Sequence, residues 1–113
     1  MTVSATMITI DCSDPGALAR WWATVLDAEI TEDFGEFVMV GAKPLTLGFQ
    51  LVPEPKLSKN RVHLDLKADD LTAEVRRLVD LGATVVGEQQ APGLVWTVLQ
   101  DPAGNEFCVS HGH

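Results

Sequence analysis

The sequence is short of positive charge and contains no long apolar segment. Its 113 residues include 8 Lys and Arg against 16 Asp and Glu, which gives a formal net charge of −8. Because the basic residues are scattered, no basic stripe is available to neutralise a nucleic-acid backbone or an anionic membrane surface. No apolar run approaches the roughly 20 residues that cross a bilayer. These absences argue against nucleic acid and membranes as partners.

Cysteine is also scarce, and the N-terminus lacks the features of an export signal. Cys12 and Cys108 are far apart, and neither belongs to a Cys-x-x-Cys pair. Residues 1–6 contain no basic region and no apolar core of signal-peptide length. We therefore expect a cytoplasmic protein whose two thiols are reduced and buried.

The chain is organised around one strand that leads into one helix. Residues 61–67 alternate between an apolar and a polar face, which is the pattern of a half-buried strand. His63 and Asp65 share the polar face, about 7 Å apart along the strand. Asp70 then caps a helix with apolar residues at helical spacing, and Gly82 ends it. We expect this helix to cover the apolar face of the strand.

The same unit occurs near the N-terminus. Residues 7–12 form another alternating strand, and Asp14 with Pro15 begins a helix predicted to run to Leu26. Three further strands are predicted after each helix, at residues 28–32, 36–40 and 45–52 in the first half and at residues 84–88, 95–100 and 106–110 in the second.

This order predicts an α+β fold of two βαβββ modules. Module 1 covers about residues 7–52 and module 2 about residues 61–110, joined by a proline-containing linker at 53–60 into a single domain of residues 1–113. One helix covers only one face of each four-stranded sheet. Paired modules would therefore form a curved mixed sheet around a cleft lined by the uncovered faces. A chain this short is also expected to form a homodimer, since it buries little apolar area alone.

Two segments of the second half carry a recognisable pattern. Residues 61–66 read Arg-Val-His-Leu-Asp-Leu, and residues 96–109 read Trp-Thr-Val-Leu-Gln-Asp-Pro-Ala-Gly-Asn-Glu-Phe-Cys-Val. Between them, a helix opened by Asp-Asp-Leu ends in Leu-Gly-Ala. The sequence resembles the glyoxalase-like proteins of the vicinal oxygen chelate superfamily, which includes glyoxalase I, extradiol dioxygenases and bleomycin-resistance proteins. The resemblance covers nearly the whole chain and implies paired modules, a U-shaped cleft and a homodimer.

The resemblance also implies four metal-ligand positions in that cleft. Family members with metal-dependent activity typically place His or Gln, Glu, His and Glu there, and the matching residues here are Met7, Gln50, His63 and Cys108. Hard divalent ions prefer oxygen and imidazole ligands, so two sulfur side chains make a poor site for them. We therefore expect no metal cofactor, with a divalent metal as the alternative. A soft site for zinc or Cu(I), formed by Cys108, His63 and Met7, stays open.

Several polar and aromatic side chains are predicted to face the cleft: Met7, Thr9, Gln50, His63, Asp65, Trp96 and Cys108. His63 is the candidate catalytic residue, as a general base or a hydrogen-bond donor. The alternative is a packed histidine bonded to Asp65 or the backbone. Trp96 is either a stacking surface for a flat ligand or a core residue. Cys108 is either a nucleophile paired with His63 or an inert buried thiol.

Small-molecule binding is the function that this pattern favours. The expected partner is a hydrophobic or aromatic metabolite or antibiotic, which the protein binds or sequesters. One alternative is a lyase or isomerase that uses His63 with or without a divalent metal. Another is an interaction or dimerisation module that needs no chemistry in the cleft.

Overall fold

A strand, a helix and three more strands follow one another twice along the chain. The computed structural model describes residues 2–111 and divides the chain into two compact units, Met1–Lys56 and Leu57–His113. The division falls within the segment predicted as a linker. Each unit contains one four-stranded mixed sheet and one helix. The predicted α+β fold of two βαβββ modules is therefore confirmed.

The first unit consists of β1 (Met7–Cys12), α1 (Pro15–Leu26), β2 (Ile30–Asp33), β3 (Phe37–Val40) and β4 (Thr46–Leu51). Its strands lie in the order β1-β4-β3-β2. The pairing of β1 with β4 is parallel, and the other pairings are antiparallel.

The second unit consists of β5 (Leu64–Lys67), α2 (Leu71–Asp80), β6 (Thr84–Ala91), β7 (Leu94–Gln100) and β8 (Glu106–Ser110). Its order, β5-β8-β7-β6, repeats that of the first unit, again with one parallel pair at the first strand. Neither helix in residues 2–111 is both long and apolar enough to cross a membrane.

The two helices begin and end in the same way. The side chains of Asp14 and Asp70 each accept a hydrogen bond of 3.1 Å from the backbone N–H three residues later. In each helix, one backbone N–H of the first turn, which has no acceptor within the helix itself, thereby gains a hydrogen-bond partner. Beyond the helices, Asp27 has a φ of 50° and Gly82 a φ of 117°, so both leave the helix through positive φ.

The two largest differences from the predicted strand boundaries lie in the second unit. β5 begins at Leu64 rather than at residue 61, and the side chain of Asn60, just before the predicted strand, is hydrogen-bonded to Asn105 and Glu106 at the start of β8. β6 does not stop at Glu88 but continues to Ala91. It does so because Pro92 and Gly93 form a two-residue turn, with Gly93 at φ 77°, that keeps β6 and β7 in register.

Each sheet carries its helix on the face built from its buried apolar side chains. In the first unit these include Val38, Val40, Leu47 and Phe49. In the second they include Leu99, Phe107 and Val109. We call the other side of each sheet, which its own helix does not cover, its open face.

The burial of single residues shows how the helix and strand patterns translate into packing. Trp22 is buried and Trp21 is half-buried, because adjacent helical residues point in different directions and only one of them packs on the sheet. Cys12 and Cys108 are both buried and form no disulfide, as predicted. Val62 was expected beside Leu64 and Leu66 on the helix-covered face but is 69% exposed, because it precedes the shortened β5.

Candidate functional site

The open face of the second sheet carries a hollow of about 310 Å³. Strand pairing places Asp65 of β5 beside Cys108 of β8, and Cys108 beside Val98 of β7. Side chains two residues apart on one strand point to the same face, so Trp96 and Glu106 join them. The lining consists of Lys59, His63, Asp65, Leu94, Trp96, Val98, Glu106 and Cys108.

Three potential donor groups converge in this hollow. His63 Nε2 lies 3.4 Å from Asp65 Oδ1. One ligand atom from each of His63, Asp65 and Cys108 lies within 4.8 Å of the ligand atoms of the other two. The side chains of His63 and Asp65 are 45% and 47% exposed, whereas Cys108 is buried. The site therefore combines a half-exposed imidazole and a half-exposed carboxylate with a buried thiol.

The surroundings of Cys108 keep its sulfur protonated. Burial raises the pKa of the Cys108 thiol, and the negative charges of Asp65 and Glu106 raise it further, while Lys59 opposes them. A reactive cysteine needs the opposite, a lowered pKa. The geometry therefore gives no support to the interpretation of Cys108 as a thiolate nucleophile.

The rim of the hollow includes an ion pair, and side-chain hydrogen bonds hold the residues next to it in place. Lys59 Nζ pairs with the carboxylate of Glu106. Next to Lys59, the Asn60 side chain accepts a 2.9 Å hydrogen bond from the Glu106 N–H and donates a 3.0 Å bond to Asn105 Oδ1. The buried Asp101 carboxylate in turn accepts from the N–H of Asn105 at 2.9 Å. The Asp-Pro-Ala-Gly-Asn turn thus has a structural role, because it ties the segment before β5 to the start of β8.

The other predicted cleft residues lie in the first unit, on the open face of its sheet. Thr9 is the register partner of Gly48, and Met7 precedes it by two residues on the same face. A Cβ atom on Gly48 would lie 3.1 Å from Met7 Sδ and 2.7 Å from Phe37 Cζ, so these two side chains cover the middle of that face. Gln50 is half-buried on the same face.

The structure therefore groups some of the predicted site residues and separates others. His63, Asp65, Trp96 and Cys108 line one hollow, and His63 lies outside the helix-packed core as the strand alternation indicated. Met7, Thr9 and Gln50 belong to the other unit. That all seven contact one ligand stays a prediction.

Sequence reasoning missed half of the lining, namely Lys59, Leu94, Val98 and Glu106. A signal existed for three of these residues. Glu106 stands two residues before Cys108, while Leu94 and Val98 alternate with Trp96, so each shares a face with a predicted site residue. Lys59 lies in the linker, where no periodicity predicts the direction of a side chain.

Fold and site together define a protein of two βαβββ units with a small hollow on the second sheet, lined by both apolar and polar side chains. Residues 7–110 match the family model described as a glyoxalase-like domain. The chain belongs to this family. A search among curated proteins gave no match.

Solved structures of similar fold come from several bacteria. A glyoxalase/bleomycin resistance protein/dioxygenase family enzyme from Burkholderia phytofirmans PsJN superposes with a TM-score of 0.84 at 17% identity, covering 96% of this chain and 98% of that one. The genomically encoded fosfomycin resistance protein FosX from Listeria monocytogenes, solved as a variant with Mn(II) and dihydroxypropylphosphonic acid, gives 0.83 at 13% identity, covering 100% and 92%. Lactoylglutathione lyase from Agrobacterium tumefaciens gives 0.72 at 18%, covering 97% and 94%. At these identities the likeness establishes the fold alone.

The donor set does not fit the metal ion that such relatives suggest. Of the four positions implied by the family, Met7 offers a thioether and Cys108 a protonated thiol with a raised pKa. Mn(II) and similar hard ions favour carboxylate, carbonyl, water and imidazole ligands. Only Gln50 and His63 offer groups of that kind. We derive no chemical step from a hard metal at these four positions.

Proposed function

We propose that this protein binds or sequesters a small hydrophobic or aromatic molecule, a metabolite or an antibiotic, in the hollow of the second unit. The supporting observation is the composition of the lining. Leu94, Trp96 and Val98 provide an apolar side, while His63 and Asp65 provide polar groups at one edge. Ligand sites typically combine an apolar wall with a few convergent polar groups.

Trp96 is the residue on which this proposal depends most. Its indole is half-buried and borders the hollow, where a flat ligand can stack on it. Trp21 is also half-buried but lies on α1 in the other unit. The two tryptophans therefore form a matched pair of test sites, since one lines the hollow and the other does not.

The test is a thermal-melting screen with flat aromatic compounds, bleomycin and fosfomycin. At least one compound should raise the melting temperature of the parent chain in proportion to its concentration. Trp96→Leu should abolish the shift, and Trp21→Leu should leave it in place. If no compound shifts the melting temperature, or if Trp96→Leu responds like the parent, the proposed function fails.

An isomerase or lyase is the second candidate function, and the contact between His63 and Asp65 favours it. A carboxylate 3.4 Å from the imidazole can hold the ring in one orientation, as a positioned general base requires. The thiol and thioether positions, by contrast, supply neither a carboxylate base nor a hard Lewis acid. We therefore expect no appreciable turnover of the methylglyoxal–glutathione hemithioacetal. Robust turnover with added Ni²⁺ or Zn²⁺, lost in His63→Ala, would favour the enzyme.

Three further expectations accompany this proposal. We infer that the two units act as one domain with a shared cleft, that the chain forms a homodimer, and that it works in the cytoplasm. Its acidity and its lack of a basic stripe support a solution-phase role without nucleic acid or membrane partners. Light scattering over a range of concentrations tests the dimer, and a constant monomer mass would contradict it.

A further inference from the structure

We propose that His63, Asp65 and Cys108 form a binding site for a borderline divalent cation, Zn²⁺, contained within the second unit alone. Two of the ligands, His63 and Cys108, stand at metal-ligand positions implied by the family. Asp65 takes the place of the two positions in the first unit, Met7 and Gln50. The cation site shares His63 and Asp65 with the hollow proposed for the small molecule, and a titration with zinc alone tests it separately.

The positions of the three donors follow from the strand pairing. Asp65 and Cys108 are direct neighbours on the parallel strands β5 and β8. His63 lies two residues before Asp65 and reaches the same side of the sheet. Three donors from two adjacent strands thus meet without any contribution from the first unit.

The distances suit a small tetrahedral ion. Zinc bonds of 2.0–2.3 Å separate neighbouring ligand atoms by about 3.3–3.7 Å in a tetrahedron. His63 Nε2 and Asp65 Oδ1 are already 3.4 Å apart, and Cys108 Sγ lies within 4.8 Å of one ligand atom of each of these residues. A shift of about 1 Å closes the remaining gap. Both His63 and Asp65 have room for it, because their side chains are about half exposed.

The donor types select among cations. A thiolate and an imidazole are ligands that zinc binds well and that Mg²⁺ and Mn²⁺ bind poorly. Zinc binding would displace the proton of the Cys108 thiol to solvent, and the resulting thiolate and the Asp65 carboxylate would together balance the two positive charges of the ion. Glu106 is already paired with Lys59, so the set consists of three protein ligands and leaves a fourth position open.

The experiment is a calorimetric titration of the metal-stripped, reduced full chain with Zn²⁺. The C-terminal His111 and His113 could bind zinc adventitiously, so both are replaced by Ala in the background. We expect one Zn²⁺ per chain, and no comparable binding of Mn²⁺ or Mg²⁺. Cys108→Ser, His63→Ala and Asp65→Asn should each weaken binding by at least about a hundredfold. Circular dichroism of each variant establishes that it is folded.

Control variants distinguish this site from zinc binding at Cys12 and from zinc binding at the first-unit positions. Cys12→Ala removes the other thiol, and Met7→Leu with Gln50→Ala removes the two first-unit positions; both variants should bind zinc like the parent. Co²⁺ should show a thiolate charge-transfer band that Cys108→Ser abolishes, which gives a second readout if one variant unfolds. The proposal is overturned if no zinc binds, if Cys108→Ser or Asp65→Asn binds unchanged, or if the Met7 and Gln50 variant loses binding.

Discussion

The helix of the first unit is buried along its length, whereas the helix of the second unit barely is. α1 buries Pro15, Leu18, Ala19, Trp22 and Val25, and it packs on three strands of its sheet. α2 has one buried residue, Leu78, and its main neighbour in the sheet is β8. The same chain order therefore produces a well-packed layer in one unit and a thin one in the other.

The open faces of the two sheets show the opposite difference: side chains fill that of the first sheet, and that of the second sheet carries a hollow. In the first unit, Met7 and Phe37 lie over Gly48 and fill the middle of the face with apolar groups. In the second unit the corresponding region is a hollow bordered by His63 and Asp65. The comparison teaches that a repeated topology does not repeat its chemistry: one sheet supports a large core, and the other presents polar groups at a hollow.

The largest effect should come from Trp22. It is 1% exposed and is the largest fully buried side chain in the described residues, so Trp22→Ala should lower the free energy of unfolding by about 3–5 kcal/mol. Trp21→Ala, at the half-buried neighbouring position, should cost much less. Urea denaturation monitored by circular dichroism measures both. Equal losses would show that α1 does not depend on one buried face.

A smaller loss is expected at Leu78, the buried residue of α2. Leu78→Ala should cost about 2–5 kcal/mol, towards the low end because the thin layer around α2 can collapse into the space. Val79→Ala is the matched control, since Val79 is 43% exposed and should change stability little. The same denaturation experiment applies. A loss at Leu78 greater than that at Trp22 would reverse the comparison between the two helices.

Gly48 and Gly87 test the open faces. A Cβ atom on Gly48 would meet Phe37 Cζ at 2.7 Å and Met7 Sδ at 3.1 Å, whereas one on Gly87 would meet nothing within 4 Å. Gly48→Ala should therefore cost about 1–2 kcal/mol, because flexible side-chain ends must move aside. Gly87→Ala should be neutral or stabilising by less than about 1 kcal/mol. Similar effects in both variants would mean that the two faces are equally open.

The regular part of this architecture could be predicted from the sequence. Alternation along 61–67 and the matching caps Asp14 and Asp70 predicted two strand–helix units, because period and capping act over a few residues. The same alternation put His63 on the open face. Local patterns with a short range were sufficient for these features.

The composition of the site could not be predicted in the same way. The contact between Asp65 and Cys108 depends on the register of two parallel strands that are distant in sequence, and periodicity does not set that register. Lys59 reaches the hollow because Asn60 is bonded to the start of β8, a contact between residues 46 positions apart. The assignment of Asp65 as a potential metal ligand needs this non-local geometry.

The smallest expected effect concerns the reactivity of Cys108, and it tests the charges in the hollow. With Cys12→Ala as background, Cys108 is the one remaining thiol, and its alkylation by iodoacetamide follows the fraction of thiolate. Asp65 raises the pKa of Cys108, so Asp65→Asn should lower that pKa and speed alkylation at neutral pH. Lys59 acts in the opposite direction, so Lys59→Met should slow the reaction.

The change in rate at Cys108 should be modest, because burial is the largest cause of the raised pKa and neither substitution removes it. In every variant the rate should climb as the pH rises towards the pKa of the thiol, and the Asp65→Asn curve should lie at lower pH than the parent curve. Mass spectrometry of the labelled protein follows the reaction. Slower alkylation in Asp65→Asn, or faster alkylation in Lys59→Met, would show that these two charges do not control the pKa of the Cys108 thiol. The charges around the hollow would then not distinguish the second sheet from the first.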